Sequence, residues 1–169
     1  AGQSQGPMQV HYETRGQGPL MLLLHQFGGS CYSFRHMLQA FADLGYQAVT
    51  FDQPAHGRTG RPPPDATAHA LSGEMVSIYS EEFAVELAAE LLKKLQAGKT
   101  EPANIIGVAT GAAIAMKVAA RLQRGQCVEQ MVADGTSSTP MGASLGSLVL
   151  VSPADFLNGC TPLPQMLHT

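Results

Sequence analysis

The sequence predicts an α/β domain, a mainly parallel open sheet of about five strands with helices on both faces. Three observations carry this expectation. Leu20-Met21-Leu22-Leu23-Leu24 is an unbroken apolar run, as expected of a strand covered on both sides in a parallel sheet. Apolar stretches of strand length alternate along the chain with stretches whose apolar residues recur at helical spacing, the pattern of right-handed β-α-β crossovers. Gly107-Val108-Ala109-Thr110-Gly111 lies between Asn104-Ile105-Ile106 and Ala112-Ala113-Ile114-Ala115-Met116, where a strand turns sharply into a helix.

Each element follows from its residues. Met8 to Thr14 alternates in part, with Met8, Val10 and Tyr12 set against Gln9, His11 and Glu13, and predicts a half-exposed strand. A turn over Gly16 to Pro19 leads into the buried strand at Leu20, and Gln26-Phe27-Gly28-Gly29-Ser30 is a loop. Ser33 is placed to cap a helix that presents Phe34, Met37, Leu38 and Phe41 and runs to Leu44, with Gly45 as its stop. Gln47 to Asp52 is the next strand, and Gln53 to Ala68 is a loop rich in glycine and proline. Ser80 caps a second helix with Phe83, Leu87, Leu91 and Leu95 on its apolar stripe and Glu86, Glu90 and Lys94 turned away. Asn104 to Gly107 is a strand, and Ala112 to Arg124 a helix that Gly125 ends. Gly135 to Gly146 reads as a mobile loop, Ser147 to Ser152 as the last strand, and Pro153 to Thr169 has no periodicity. The expected organisation is a flexible arm over 1–7, one domain over 8–155 and an irregular tail over 156–169.

Composition sets further bounds. With 169 residues, 44% hydrophobic and only 14% charged, the chain can bury one core. A formal net charge of −3, with Lys93-Lys94 as the only adjacent basic pair, gives no footprint for nucleic acid. Cys31, Cys127 and Cys160 form neither a C-x-x-C pair nor a disulfide framework, which favours a reducing compartment. No apolar run reaches the roughly 18 residues of a membrane span. No secretory signal is seen, so the cytoplasm or an organelle interior is the expected location. The histidines show no metal-binding spacing, and no cofactor motif is found. Gly98-Lys99-Thr100 has the ending of a phosphate loop. The first glycine of G-x-x-x-x-G-K-T would fall on Lys93, however, and the stretch follows a helix instead of opening one.

On four segments the chain resembles the N-terminal half of an α/β-hydrolase-fold protein. Leu22 to Ser30 (LLLHQFGGS) is similar to the family's strand and oxyanion loop, usually H-G-x-G; Phe51 to Thr59 (FDQPAHGRT) to its D-x-x-G-x-G-x-S loop; Ile106 to Ala113 to its nucleophile elbow, G-x-S-x-G; and Leu148 to Pro153 to the strand after the elbow helix. The match runs from about Gln9 to Asp155. The resemblance implies that the strand at Leu20 is central, flanked by those at Gln47 and Asn104, with the strand at Ser147 outside the latter. It also implies that the backbone amides of Phe27 and Thr110 are the oxyanion donors.

The departures bear on chemistry. Gln26 stands for the glycine of H-G, Ala55 and Thr59 for a usual glycine and serine, and Ala109 for the nucleophile. A methyl group cannot attack a carbonyl, so no catalytic set is intact. Thr110 is read as a backbone participant, its side chain turned away from the elbow. Asp155 is the acid candidate, equally able to cap a turn, and His168, beside the C-terminus, is the only histidine after the elbow. His25 and His56 are read as structural. The expected function is a non-catalytic α/β-hydrolase-like binding or assembly module, a subunit of a larger complex. The alternative is a serine hydrolase acting on an ester or amide, met as a nucleophile knockout or a fragment. Either way a protein partner or a C-terminal half is expected to cover the apolar strand at Ser147–Ser152.

Overall fold

In a computed structural model that describes residues 8–69, 74–133 and 145–152, the apolar run at Leu20 becomes the middle strand of the sheet. This strand, β2 (Leu20–Leu24), is buried at every residue. Parallel to it lie β3 (Gln47–Phe51) on one side and β6 (Ala103–Val108) on the other. Strand β7 (Leu145–Val151) runs parallel outside β6, and β1 (Tyr12–Arg15) pairs antiparallel outside β3. The five-stranded order is β1-β3-β2-β6-β7, in which the run β3-β2-β6-β7 is the expected one.

Side chains on a strand alternate between faces, and here the alternation divides the core in two. Leu20, Leu22 and Leu24 join Val49, Phe51 and Ile105 under α2 (Glu81–Gln96) and α3 (Thr110–Ala133). Met21 and Leu23 join Ala48 and Ile106 on the other face, where Leu38 of α1 (Arg35–Asp43) closes the layer. Helices therefore cover both faces.

Several local expectations need correction. Strand β1 begins at Tyr12, because pairing with β3 starts at Tyr12 opposite Phe51. Ser33 does not cap α1. It sits inside a 3-10 turn, Cys31–Phe34, where its hydroxyl accepts from the Ser30 amide at 3.3 Å. Two three-residue strands, β4 (Thr67–His69) and β5 (Met75–Ser77), pair antiparallel, the first at the end of the expected Gln53–Ala68 loop and the second in a stretch given no element from sequence. They are too short to show a period. Helix α3 begins at Thr110 and continues through Gly125 to Ala133. The roughly 1 kcal/mol that a mid-helix glycine costs does not stop a helix already propagating. The arm over 1–7, the tail over 156–169 and most of the Gly135–Gly146 loop lie outside the described residues.

Helix α2 starts as expected, with the Phe83 amide donating to Ser80 Oγ at 3.1 Å and Glu81 and Glu82 in the first turn. Its buried line is Ala84, Val85, Ala88, Leu92 and Gln96, while Leu87, Leu91 and Leu95 are only partly covered. The reason is α3, which packs beside α2 and turns its covered arc away from the expected stripe. Two ion pairs join these helices, Lys117 to Glu81 at 2.6 Å and Arg121 to Glu86 at 2.7 Å, so Glu86 faces a neighbour instead of open solvent. Among the described residues no helix is long and apolar enough to cross a membrane. Leu92→Ala is expected to lose about 2–5 kcal/mol of unfolding free energy, with Leu87→Ala losing clearly less. Equal losses in urea unfolding would contradict this assignment of the buried face.

Candidate functional site

The C-terminal ends of β2 and β6 meet at the corner that the sequence singled out. Strand β6 ends at Val108, α3 begins at Thr110, and Ala109 joins them with φ 49°. That left-handed conformation costs a residue with a Cβ about 1–2 kcal/mol. Hydrogen bonds hold it: the Ala109 amide donates to Val151 O, and its carbonyl accepts from the Ala112 amide, both at 2.9 Å. The flanking glycines are steric necessities. A Cβ on Gly111 would lie 2.3 Å from Leu24 O, and one on Gly107 2.4 Å from Gly111 O. Helix α3 can start against the end of β2 only because neither residue has a side chain.

The loop after β2 faces this corner. Phe27 and Thr110, the two amide donors implied by the resemblance, are brought together in an unexpected way. The Phe27 amide donates to Thr110 Oγ1 at 2.7 Å. The Thr110 side chain thus points toward the loop, not away from it, and occupies one of the two N–H groups. Nothing in local sequence reveals this, because the partners are far apart in the chain.

Two imidazoles brace the same loop. His25, fully buried, donates from Nδ1 to Gln26 O at 2.8 Å and accepts at Nε2 from the Gln53 amide at 3.2 Å. His56 donates from Nδ1 to Pro54 O at 2.9 Å and accepts at Nε2 from the Gly28 amide at 3.3 Å. His25 is structural, as expected, whereas His56 does more than shape its own turn: it reaches the loop after β2. The two rings stand 5.1 Å apart, and Phe27 meets His56 edge-on at 5.8 Å. Burial lowers the His25 pKa from its ordinary 6.5, and its bond to Gln26 O opposes this only in part.

Asp52, buried at the end of β3, holds the neighbouring turn. Its Oδ1 accepts from the Cys31 amide at 2.6 Å and its Oδ2 from the Arg58 amide at 2.8 Å. Burial alone would raise its pKa, but these amides outweigh it and hold the carboxyl below its ordinary value. Burial, followed by the Asp52 carboxylate, pushes the Cys31 thiol far up. Thr59, in the usual serine position, donates to Asp52 O at 2.7 Å and accepts from the His11 amide at 2.9 Å. Ala55, in the usual glycine position, keeps a glycine-like φ of 62°.

A cavity of about 700 Å³ opens beside the loop, between α2 and α3. Phe27, His56, Ile78, Tyr79, Ile114 and Met116 supply much of its wall, which is mainly apolar. Thr110 borders it. Asp155 and His168 lie outside the described residues. Lys99, from the rejected phosphate motif, donates to Gly18 O at 3.2 Å and to Gln47 Oε1, and so pins the edge of the sheet.

This order of strands, with a tight strand-to-helix corner at the carboxyl end of the sheet, defines an α/β protein of the hydrolase type. The chain belongs to the alpha/beta hydrolase fold family, whose sequence signature matches residues 19–158. It is 31% identical over 112 residues to the uncharacterised hydrolase YraK of Bacillus subtilis, covering 66% of this chain and 36% of that protein. It is 36% identical over 76 residues to epoxide hydrolase 1 of Siraitia grosvenorii, covering 44% of this chain and 24% of that one. An epoxide hydrolase structure from an endophytic Streptomyces superposes with a TM-score of 0.57 at 26% identity, over 83% of this chain and 33% of that one. The chain thus spans well under half the length of the curated relatives it matches.

The His25 geometry sets a pH dependence. The unfolded chain takes up a proton at this residue below about pH 6.5, while the folded chain resists it. Its contribution to stability is therefore fully present above pH 6.5 and is lost as the pH falls from there toward the lowered folded value. Melting temperatures measured across this window should decline more steeply for the wild type than for His25→Asn. Parallel curves would contradict a buried neutral His25.

Proposed function

We propose that this chain is a non-catalytic α/β-hydrolase-like module that binds or assembles with another protein. The carrying observation is the pairing of Ala109 with Thr110. Acyl transfer by this fold needs an activated nucleophile and free oxyanion donors. The corner offers a methyl group in the first role. In the second, the Phe27 amide is already bonded to the Thr110 hydroxyl. The corner's shape has outlived its chemistry.

The outer strand supports the assembly part of this reading. On β7, Leu145, Leu148 and Leu150 pack against the core, while Val149 and Val151 remain 46% and 44% exposed. A strand with apolar side chains on both faces at the edge of a sheet invites a cover. A protein partner or a further length of the same fold fits that role.

One observation favours the alternative, a hydrolase deprived of its nucleophile. Residue 109 keeps a left-handed φ of 49° at the strand-to-helix corner where a serine hydrolase presents its nucleophile. The substrate class would then be an ester or amide, or, given the name of the Siraitia relative, an epoxide. An epoxide has no carbonyl, so its opening suits a carboxylate nucleophile as well as a hydroxyl.

The test restores each nucleophile in turn, Ala109→Ser and Ala109→Asp, in this chain and in a version extended to the length of its relatives. No turnover of activated esters or of epoxides is expected from any of the four proteins. Sustained turnover by either variant would establish the enzyme reading instead. In sedimentation the isolated chain is expected to self-associate, and a strictly monomeric boundary at high concentration would remove the case for a covered β7.

A further inference from the structure

Behind the loop, on residues too distant in sequence to form a motif, three side chains of different ligand chemistry converge. His11 precedes β1, Cys31 opens the 3-10 turn and Asp52 follows β3. A ring nitrogen, the sulfur and a carboxylate oxygen of these residues all lie within 4.8 Å of one another. We propose that His11, Cys31 and Asp52 form a site for a thiophilic divalent cation of the zinc type.

The donor set fits such an ion. Nitrogen, thiolate and carboxylate are its three usual ligand types, at about 2.0–2.3 Å, which places tetrahedral ligands roughly 3.3–3.8 Å from one another. Closing this cluster onto an ion therefore takes about an ångström of movement. The two amide bonds of Asp52 fix its carboxylate, and each oxygen keeps a further lone pair. Cys31 is buried and His11 half-buried, so an ion would enter from the imidazole side. Glu13 Oε1 stands 3.5 Å from His11 Nε2, the carboxylate–histidine pairing that orients metal-bound imidazoles.

Thr50, fully covered, turns its hydroxyl to the Cys31 sulfur, which in turn faces Asp52, so the ligand atoms already point at one another. The ion would join the lead-in to β1, the 3-10 turn and the exit of β3 at one point. This site is independent of whether the corner is catalytic.

Cobalt(II) titration of the whole chain, in a non-thiol reductant, tests the proposal. A sulfur-to-cobalt charge-transfer band and the visible bands of tetrahedral cobalt are expected, both erased by added zinc. The band should vanish in Cys31→Ser and persist in the double variant Cys127→Ser, Cys160→Ser. His11→Gln should weaken cobalt affinity by more than about tenfold and abolish the rise in melting temperature that zinc gives the wild type. His11→Gln also decides the matter if Cys31→Ser does not fold. No charge-transfer band in the wild type, a band that survives Cys31→Ser, or unchanged affinity in His11→Gln overturns the proposal.

Discussion

Everything in this fold is arranged around a strand that has no exposed face. Because β2 is covered on both sides, its neighbours must be parallel strands whose connections cross above or below it, and a helix must lie on each face. The carboxyl ends of β2 and β6 are then forced to the same level. There, α3 begins within van der Waals reach of the backbone of β2, a distance set by the bare Cα atoms of Gly107 and Gly111. The position of residue 109 follows from sheet packing, whichever side chain it carries.

The polar groups near this corner are satisfied inwardly. His25 and His56 each use both ring nitrogens on backbone partners. Asp52 uses both carboxylate oxygens on amides. Thr110 takes the Phe27 amide. A catalytic site usually leaves some of its hydrogen-bonding capacity for a substrate, and here much of that capacity is spent on the loop itself.

Much of the fold was legible because burial writes directly into local pattern. The apolar run at Leu20, the Ser80 cap, the Gly45 stop and the Gly-x-Ala-x-Gly corner each carry their structural reason within a few residues. What was not legible depends on contacts between distant segments. The buried line of α2 is set by α3, so the Leu87-Leu91-Leu95 stripe misled. Gly125 suggested an end that the rest of the helix overrides. The direction of the Thr110 side chain is decided by the Phe27 amide, and the reach of His56 by Gly28. The convergence of His11, Cys31 and Asp52 comes from three separate elements. The alanine at the strand-to-helix turn, by contrast, needed only one letter of the sequence.

The bond from the Ala109 amide to Val151 O ties the corner to the outermost strand. Whatever settles along the outer side of β7 would therefore bear on a strand that pairs with β6 up to Val108 and holds the amide of residue 109. A spectroscopic label at residue 109 would report on the geometry of the sheet's outer edge as well as on the corner itself.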